Sequence, residues 1–505
     1  MRAATAPPIH SMILTALISG RTRRSPFCYN QIILALKSGA RNAFHHPALS
    51  MDQLTHIVRG LIGYTAFIGI AVLFSSNRKA IPWKLVGVGS VLQLLIGVLV
   101  LHVDFIRIAV DAVGNFFVKI LDFNTAGAEF LFGSLVTNKA TFGYLFAFNV
   151  LPTIVFFSAL TSLLFYLGIL QKIVFAFAWV MTKTMKLSGA ESLSASANIF
   201  LGQTEAPLLI KPYLATMTRS ELMSVMVGGF ATIAGAVMVA YIGMLGGDDP
   251  EQRLLFAKHL LTASVMSAPA ALMMAKILLP QTEEVNRNIE IPRERIGSNA
   301  LEAIANGTTD GLKLAVNVGA MLLVFTALIA FANWMLSAGP GAWTGLNGWI
   351  ASSTGGRYDA LTLQYLMGLI GAPVAWLMGV DSNHLMAAGQ LIGEKTILNE
   401  FYAYGSLAKM KLDGTLPLTR DQIIVTYALC GFSNIASVGI QIGGIGALAP
   451  NQRSTLAQIG LKALLGGSLV CFLTACVAAL QKLHGCRSAL RSASRRHVAA
   501  FEALM

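Results

Sequence analysis

The chain has 505 residues, 55% of them hydrophobic and only 12% charged, with a mean hydropathy of +0.65. Soluble domains are about one-quarter charged, so a soluble enzyme or binding module is excluded and a polytopic membrane protein is indicated. The net charge of +13 does not signal nucleic acid, because the two tails carry +10 of it; basic flanks on a membrane protein go with cytoplasmic ends or lipid headgroups.

Residues 1–50 hold Arg2, Arg21, Arg23, Arg24, Lys37 and Arg41 and no acid. This basic N-terminal extension has the arginine- and serine-rich character of a targeting segment. Met51, just before the first strong span, offers an alternative start, and residues 1–50 are assigned no role. A membrane crossing needs about 20 mostly apolar residues. Residues 57–74 and 85–103 qualify, joined by a short loop with Arg78, Lys79 and Lys84. Positive-inside counting puts that loop in the cytoplasm; it also wants both basic tails there, which an even number of spans forbids, and the short loop is given precedence. Residues 104–123 alternate apolar and charged side chains at helical spacing, as in a helix lying in the membrane interface. Residues 146–170 span again, and 173–185 are short for a crossing.

Ser188-Gly189-Ala190-Glu191 reads as a capping box that opens a new helix. The apolar stretch 193–213 is then broken by Gly202, Pro207 and Pro212. Broken backbone at membrane depth is tolerated only inside protein or beside water, so this stretch is read as a re-entrant hairpin. Residues 222–245 and 260–279 read as ordinary spans, 281–310 as a polar connector and 312–336 as a span. A second broken pair, 363–379 with 385–404, precedes closing spans at 423–448 and 459–480. The basic C-terminal tail is 481–505. The predicted organisation is a scaffold (51–185), a first hairpin with two spans (186–280), a connector and scaffold span (281–360), and a second hairpin with two spans (361–480).

Two carboxylates stand out in these repeats, Glu205 in Gly202-Gln203-Thr204-Glu205-Ala206-Pro207 and Glu400 in Leu398-Asn399-Glu400-Phe401. An ionisable group at membrane depth costs about 2.5–3.5 kcal/mol and usually lines an ion or substrate path. The competing reading neutralises each with a structural partner such as Lys211 or Lys395. Gln203 and Thr204 suit the edge of a heterocycle, since an amide donates and accepts at once; capping of the broken backbone competes at even weight. Asn434 and Ser437 lie three apart on one face of the span, with Phe432 two residues earlier and Thr232 as counterpart in the other half. Helix–helix hydrogen bonding is the plain alternative. Asn198 and Thr232, with a carbonyl freed near Leu201, offer neutral hard oxygens of the kind that hold Na⁺ beside a broken helix. His102, His259 and His384 read as interfacial residues, and the five cysteines show no metal spacing. No Walker loop, dinucleotide fingerprint or nucleophile elbow is present, which points to an ion gradient as the energy source.

Four stretches resemble the concentrative nucleoside transporters: 198–213, 228–235 (Gly-Gly-Phe-Ala-Thr-Ile-Ala-Gly), 395–401 (Lys-Thr-Ile-Leu-Asn-Glu-Phe) and 430–437 (Cys-Gly-Phe-Ser-Asn-Ile-Ala-Ser). The resemblance covers roughly residues 55–480. It implies an all-α polytopic membrane protein with about eight transmembrane helices, two re-entrant helical hairpins and interfacial helices, built on an internal repeat and assembled as a homotrimer. It implies that Gln203, Thr204 and Glu205 face the nucleobase with Val237 packed on it. Glu400, Asn434 and Ser437 would hold the ribose, with Phe432 beside it, and sodium would sit at Asn198, Thr232 and the carbonyls of Leu201 and Ile233. Some relatives use protons; the presence of Asn198 and Thr232 favours Na⁺. Gly202 before Gln203 goes with accepting purines as well as pyrimidines, and Gly379-Val380-Asp381-Ser382-Asn383 departs from the family pattern.

The expected protein is therefore a multi-pass nucleoside importer of the inner membrane, driven by Na⁺, with no other cofactor, no nucleic-acid partner and no enzymatic activity. The rivals are proton coupling, a carrier of another polar solute, a passive channel, and a membrane enzyme using Glu205 and Glu400 as an acid/base pair.

Overall fold

The structure, a computed structural model, describes residues 51–285 and 298–480. The basic extension 1–50, the C-terminal tail and part of the 281–310 connector lie outside the described residues. Within them every regular element is helical. The first helices, α1 (Met51–Leu73) and α2 (Trp83–His102), occupy the two expected spans. The amphipathic helix α3 runs further than its charge pattern suggested, over Asp104–Phe132. After three single turns come α4 (Leu151–Tyr166) and α5 (Ile169–Met185), separated by Gly168 at φ 72.

The first hairpin begins with α6 (Gly189–Ala197) and returns through a 3-10 turn at Ala206–Ile210. Next, the stretch read as one ordinary span is two half-helices, α7 (Arg219–Ala231) and α8 (Gly235–Gly246). Extended backbone at Thr232 and Ala234 separates them. Nothing in the local composition marks this break, because the segment is apolar throughout; it is paired from other elements, as shown below. The long helices α9 (Pro250–Leu278) and α10 (Ala300–Leu336) follow, α10 starting inside the stretch read as connector.

The second repeat differs from expectation in where its hairpin lies. The helices α11 (Leu363–Leu377) and α12 (Leu385–Ile397) are both continuous and pack on each other so closely that a Cβ on Gly371 would lie 2.4 Å from the Gly389 carbonyl. The break comes after them, at Leu398–Asn399, and the other arm is α13 (Glu400–Leu412). The closing span is again split, into α14 (Arg420–Leu429) and α15 (Ile435–Leu448), before α16 (Arg453–Ala479). Hairpin, split helix and long helix thus occur twice.

Burial separates the two layers. Nearly every residue of α7, α8 and the later turns of α9 is buried, whereas in α10 only Ala303, Gly307, Gly311, Ala315 and Ile329 are. The helices α7, α8, α9 and α14 are therefore the core, α15 is buried along one face only, and α10 presents apolar side chains such as Leu323, Val324 and Phe331 outward. Small residues set the core spacing: a Cβ on Gly467 of α16 would meet Phe230 of α7 at 2.3 Å. His259 sits in this core, not at an interface, with Nδ1 3.1 Å from the Tyr427 hydroxyl. His384 likewise is tied inward, 2.7 Å from Asp421. Asp421 also accepts from the Asp381 amide, and Arg420 and Arg59 donate to the Gly379 and Val380 carbonyls at 2.9 Å. The divergent 379–383 turn, with Gly379 at φ +89, is thereby fixed by its own set of partners.

A buried ion pair holds the first hairpin to the core. The Ser188 hydroxyl caps α6 by accepting from the Glu191 amide, which is one half of the expected capping box. Among the described hydrogen bonds the Glu191 carboxylate takes the Ser188 hydroxyl and not its amide. The Glu191 carboxylate bridges the cap and the core: Oε1 accepts from the Ser188 hydroxyl at 3.2 Å, while Oε2 lies 2.8 Å from Lys276 Nζ on α9 and accepts from Ser224 on α7 at 2.8 Å. Lys276 also donates to Ser220 at 2.9 Å, and both charged side chains are 1% exposed. Removing one partner of such a pair strands the other charge, at a cost of about 3–5 kcal/mol. Lys276→Ala should therefore lower the thermal unfolding temperature of the detergent-solubilised protein strongly, while Glu191→Gln with Lys276→Met together restores most of it. Equal stability of the Lys276→Ala protein and the parent would show that the pair does not hold the hairpin.

Candidate functional site

The hairpin breaks and the helix splits meet one another. The Gly235 amide, which opens α8, donates to the Phe200 carbonyl in the first hairpin at 2.9 Å. The Phe432 amide, between α14 and α15, donates to the Thr232 carbonyl between α7 and α8 at 3.2 Å. Backbone groups freed by one break are thus satisfied by another, as the low-dielectric surroundings demand.

Side chains extend this junction into one hydrogen-bonded chain. Gln203, in the turn of the first hairpin, donates from Nε2 to Ser437 Oγ at 3.1 Å. The Ser437 amide donates to Asn434 Oδ1 at 2.8 Å, and Asn434 Nδ2 donates to Glu400 Oε2 at 2.9 Å. One polar line therefore runs from the first hairpin across the start of α15 to the second hairpin. Asn434 and Ser437 are not on the flank of a continuous span, as expected; Asn434 is the N-cap of α15. Glu400 is the first residue of α13, where the helix N-terminus favours a carboxylate. Its backbone position is fixed by aromatic packing, with Phe401 edge-on to Tyr241 at 5.0 Å and Tyr241 stacked on Tyr404 at 4.1 Å.

Glu205 accepts from the Gly202 amide at 3.0 Å, closing its own turn. It is half-buried and Thr204 is exposed, whereas Gln203, Glu400, Asn434 and Ser437 are buried, so the line opens outward beside the first hairpin. Val237 on α8 is buried and Phe432 half-buried. The structural partner proposed for Glu400 does not pair with it: Lys395 donates to the Ala428 carbonyl at 3.0 Å, and none of the described ion pairs contains Glu400.

Gln441 is the residue missed in the sequence. From α15 it donates to Gln203 Oε1 at 3.0 Å and to the Met226 carbonyl at 3.2 Å. The signal was available, since 434, 437 and 441 follow the spacing of one helix face. Gly229 makes room for this pair: a Cβ there would lie 2.7 Å from Gln441 Nε2 and 3.0 Å from Gln203 Cβ.

The residues expected to hold the ion have fewer partners, and Asn198 and Thr232 both border Gly228. Asn198 is 1% exposed, and neither Oδ1 nor Nδ2 has a hydrogen-bond partner. Thr232 donates its hydroxyl to the Gly228 carbonyl at 2.9 Å, which leaves the oxygen lone pairs available. Among the described hydrogen bonds none is accepted by the carbonyls of Leu201 or Ile233. The unpartnered Asn198 Oδ1 is a buried acceptor of the neutral, hard kind that ligates small cations, whereas its Nδ2 needs an acceptor instead.

Comparison with known proteins agrees with this architecture. Residues 62–135 match the family described as Na+ dependent nucleoside transporter N-terminus, residues 147–248 the one described as Nucleoside recognition, and residues 259–479 Na+ dependent nucleoside transporter C-terminus. An uncharacterized transporter of Haemophilus influenzae is 42% identical over 84% of this chain and 97% of its own length. Human solute carrier family 28 member 3 is 38% identical over 87% of this chain, and rabbit (Oryctolagus cuniculus) sodium/nucleoside cotransporter 1 is 36% identical over 86%. The chain spans 61% and 64% of the length of those two mammalian proteins. Among solved structures, CNTnw in an inward-facing substrate-bound state superposes with a TM-score of 0.75 at 38% identity, covering 84% of this chain and 97% of that one. These relatives are transporters, which removes the membrane-enzyme reading, and this chain belongs to the Na+ dependent nucleoside transporter family.

Proposed function

We propose that this protein imports nucleosides across the inner membrane by Na⁺-driven symport. The observation that carries the reading is the continuous line Gln203–Ser437–Asn434–Glu400, which joins both hairpins through groups able to donate and accept. A nucleoside needs two kinds of recognition, an amide-like edge for the base and acceptors for ribose hydroxyls. Gln203, Thr204 and Glu205 supply the first at the open end, with Val237 packing on the base. Glu400, Asn434 and Ser437 supply the second, with Phe432 alongside. Glu400 Oε2 already takes the Asn434 amide, and a carboxylate has acceptor capacity to spare.

The coupling ion is assigned to Asn198, Thr232 and the carbonyls of Leu201 and Ile233. Every donor in that set is a neutral oxygen, which suits Na⁺ and offers nothing to titrate. A homotrimer is proposed to pack through the outer layer that contains α10, whose apolar face is exposed in the single chain; native mass spectrometry of the detergent-solubilised protein would count the subunits.

The direct test is uridine uptake into proteoliposomes under an inward Na⁺ gradient, an inward H⁺ gradient, or neither. Accumulation of intact uridine under Na⁺ alone is expected; accumulation under H⁺ alone would overturn the ion assignment and keep the class. Replacing Glu400 with glutamine should cost about 1.5–3 kcal/mol of ribose recognition, roughly ten- to 150-fold in Kd. Full affinity in a folded Glu400→Gln protein would refute its role. Asn198→Ala should abolish stimulation by Na⁺ while nucleoside binding at saturating Na⁺ weakens less. Gly229→Ala should push Gln441 off Gln203 and lose about one buried hydrogen bond, roughly 0.5–1.5 kcal/mol, read as a two- to tenfold rise in Kd by calorimetry.

A further inference from the structure

The second hairpin carries another carboxyl, which the substrate line leaves untouched. Glu394 lies on α12, six residues before Glu400, and is fully buried. Gln390 Nε2 donates to its Oε1 at 2.8 Å, and the Tyr358 hydroxyl donates to Gln390 Oε1 at 3.0 Å. The tyrosine thereby fixes which end of the Gln390 amide faces the carboxyl. The other carboxyl oxygen, Oε2, is buried without a hydrogen-bond partner.

No counter-charge meets it among the described ion pairs. The cations on its own helix and on the helices packed against it are engaged elsewhere. Lys395 holds the Ala428 carbonyl, Arg420 of α14 holds the Gly379 carbonyl, and Lys411 of α13 holds the Leu245 carbonyl. Arg357, before α11, donates to the Asn383 carbonyl, and Lys409 on α13 is exposed. The acids are also committed, Glu400 to Asn434 and Asp421 to His384. The titratable side chains within electrostatic reach are the phenols Tyr358 and Tyr402, and Tyr365 of α11 packs edge-on to Tyr358. With only the neutral side chains of Gln390 and Ser406 to hydrogen-bond it and no cation, an anion would be far more costly here than a neutral acid.

We propose that Glu394 is a proton-binding site on the second hairpin. The carboxyl is held as the acid in this conformation, and its proton is exchanged with water when the hairpin moves. Its consequence for uptake rests on the transport reading above; its protonation does not. The proposed Na⁺ site has no titratable group, so Glu394 gives transport a pH dependence of separate origin. The sign follows from the packing: rising pH removes the proton, penalises this conformation and slows uptake.

The test combines two readouts on the purified full chain. With the Na⁺ gradient fixed, wild-type uridine uptake should fall about tenfold per pH unit above its midpoint, as a single site requires. Glu394→Gln, which keeps the acid's shape and hydrogen bonding, should transport with no such fall. Infrared absorption should show a protonated-carboxyl band in the wild type that is missing in Glu394→Gln. Gln390→Leu removes a donor that favours the anion, so its uptake midpoint should move to higher pH. An unchanged pH profile in Glu394→Gln, or identical infrared bands in the two proteins, would overturn the proposal. Where Glu394→Gln does not fold, an unmoved midpoint in Gln390→Leu overturns it equally. If the wild type takes up no uridine at any pH, the nucleoside reading fails and the infrared band alone decides the proton site.

Discussion

Every freed backbone group in the membrane interior must find a partner inside the protein, and the rest of this structure follows from that constraint. A helix satisfies its own backbone, so interrupting one at depth is costly unless another interruption lies within reach. Here the interruptions are arranged in mutual support. The first hairpin gives its Phe200 carbonyl to the start of α8, and the split between α14 and α15 gives its Phe432 amide to the split between α7 and α8. None of these breaks would be stable alone. Together they place unwound backbone, N-cap side chains and helix N-termini in one region, as a binding site for a polar solute in a membrane requires.

Charge is handled by a similar logic, with three outcomes. Glu191 is neutralised outright by Lys276 and surrounded by serine hydroxyls, which makes it a fastener. Glu400 sits at a helix N-terminus with an asparagine amide on one oxygen, so its charge is tolerated while its remaining acceptor capacity is kept. Glu394 has neither aid. The environments differ by one cation or one helix end, and each difference matches the role assigned or proposed: stability for Glu191, recognition for Glu400 and proton exchange for Glu394.

Much of the fold was legible because membrane spans are long and compositionally blunt. The spans, the first hairpin with its Pro207 and Pro212, and the duplication were all visible. The splits at Thr232–Ala234 and Cys430–Asn434 were not, since apolar composition predicts burial at depth and says nothing of whether the helix continues through it. The second hairpin was misplaced for a related reason. Gly389 and Gly393 look like helix breakers, yet they are close-packing residues beneath α11. Among the site residues, polarity in an apolar context exposed Gln203, Glu205, Glu400, Asn434 and Ser437, which the structure brings together apart from Glu205, tied to its own turn. Gln441 and Lys276 escaped because their importance lies wholly in partners from distant segments.

The shared split also suggests how ion and solute binding could be linked without a long relay. Thr232 contributes to both sides of it: its hydroxyl belongs to the proposed ion cage, and its carbonyl accepts from Phe432, two residues before Asn434. An ion bound at the proposed cage would fix the Thr232 segment and, through that bond, the segment that carries Asn434. On the proposed reading the ordering cost of this junction would be met once, by whichever ligand arrives first, and the second would bind to a site already formed. Such coupling is reciprocal by necessity, so the nucleoside should tighten ion binding as much as the ion tightens nucleoside binding. A proton on Glu394 lies outside this junction, on the far arm of the second hairpin, where it would bias the hairpin's packing without competing for the cage.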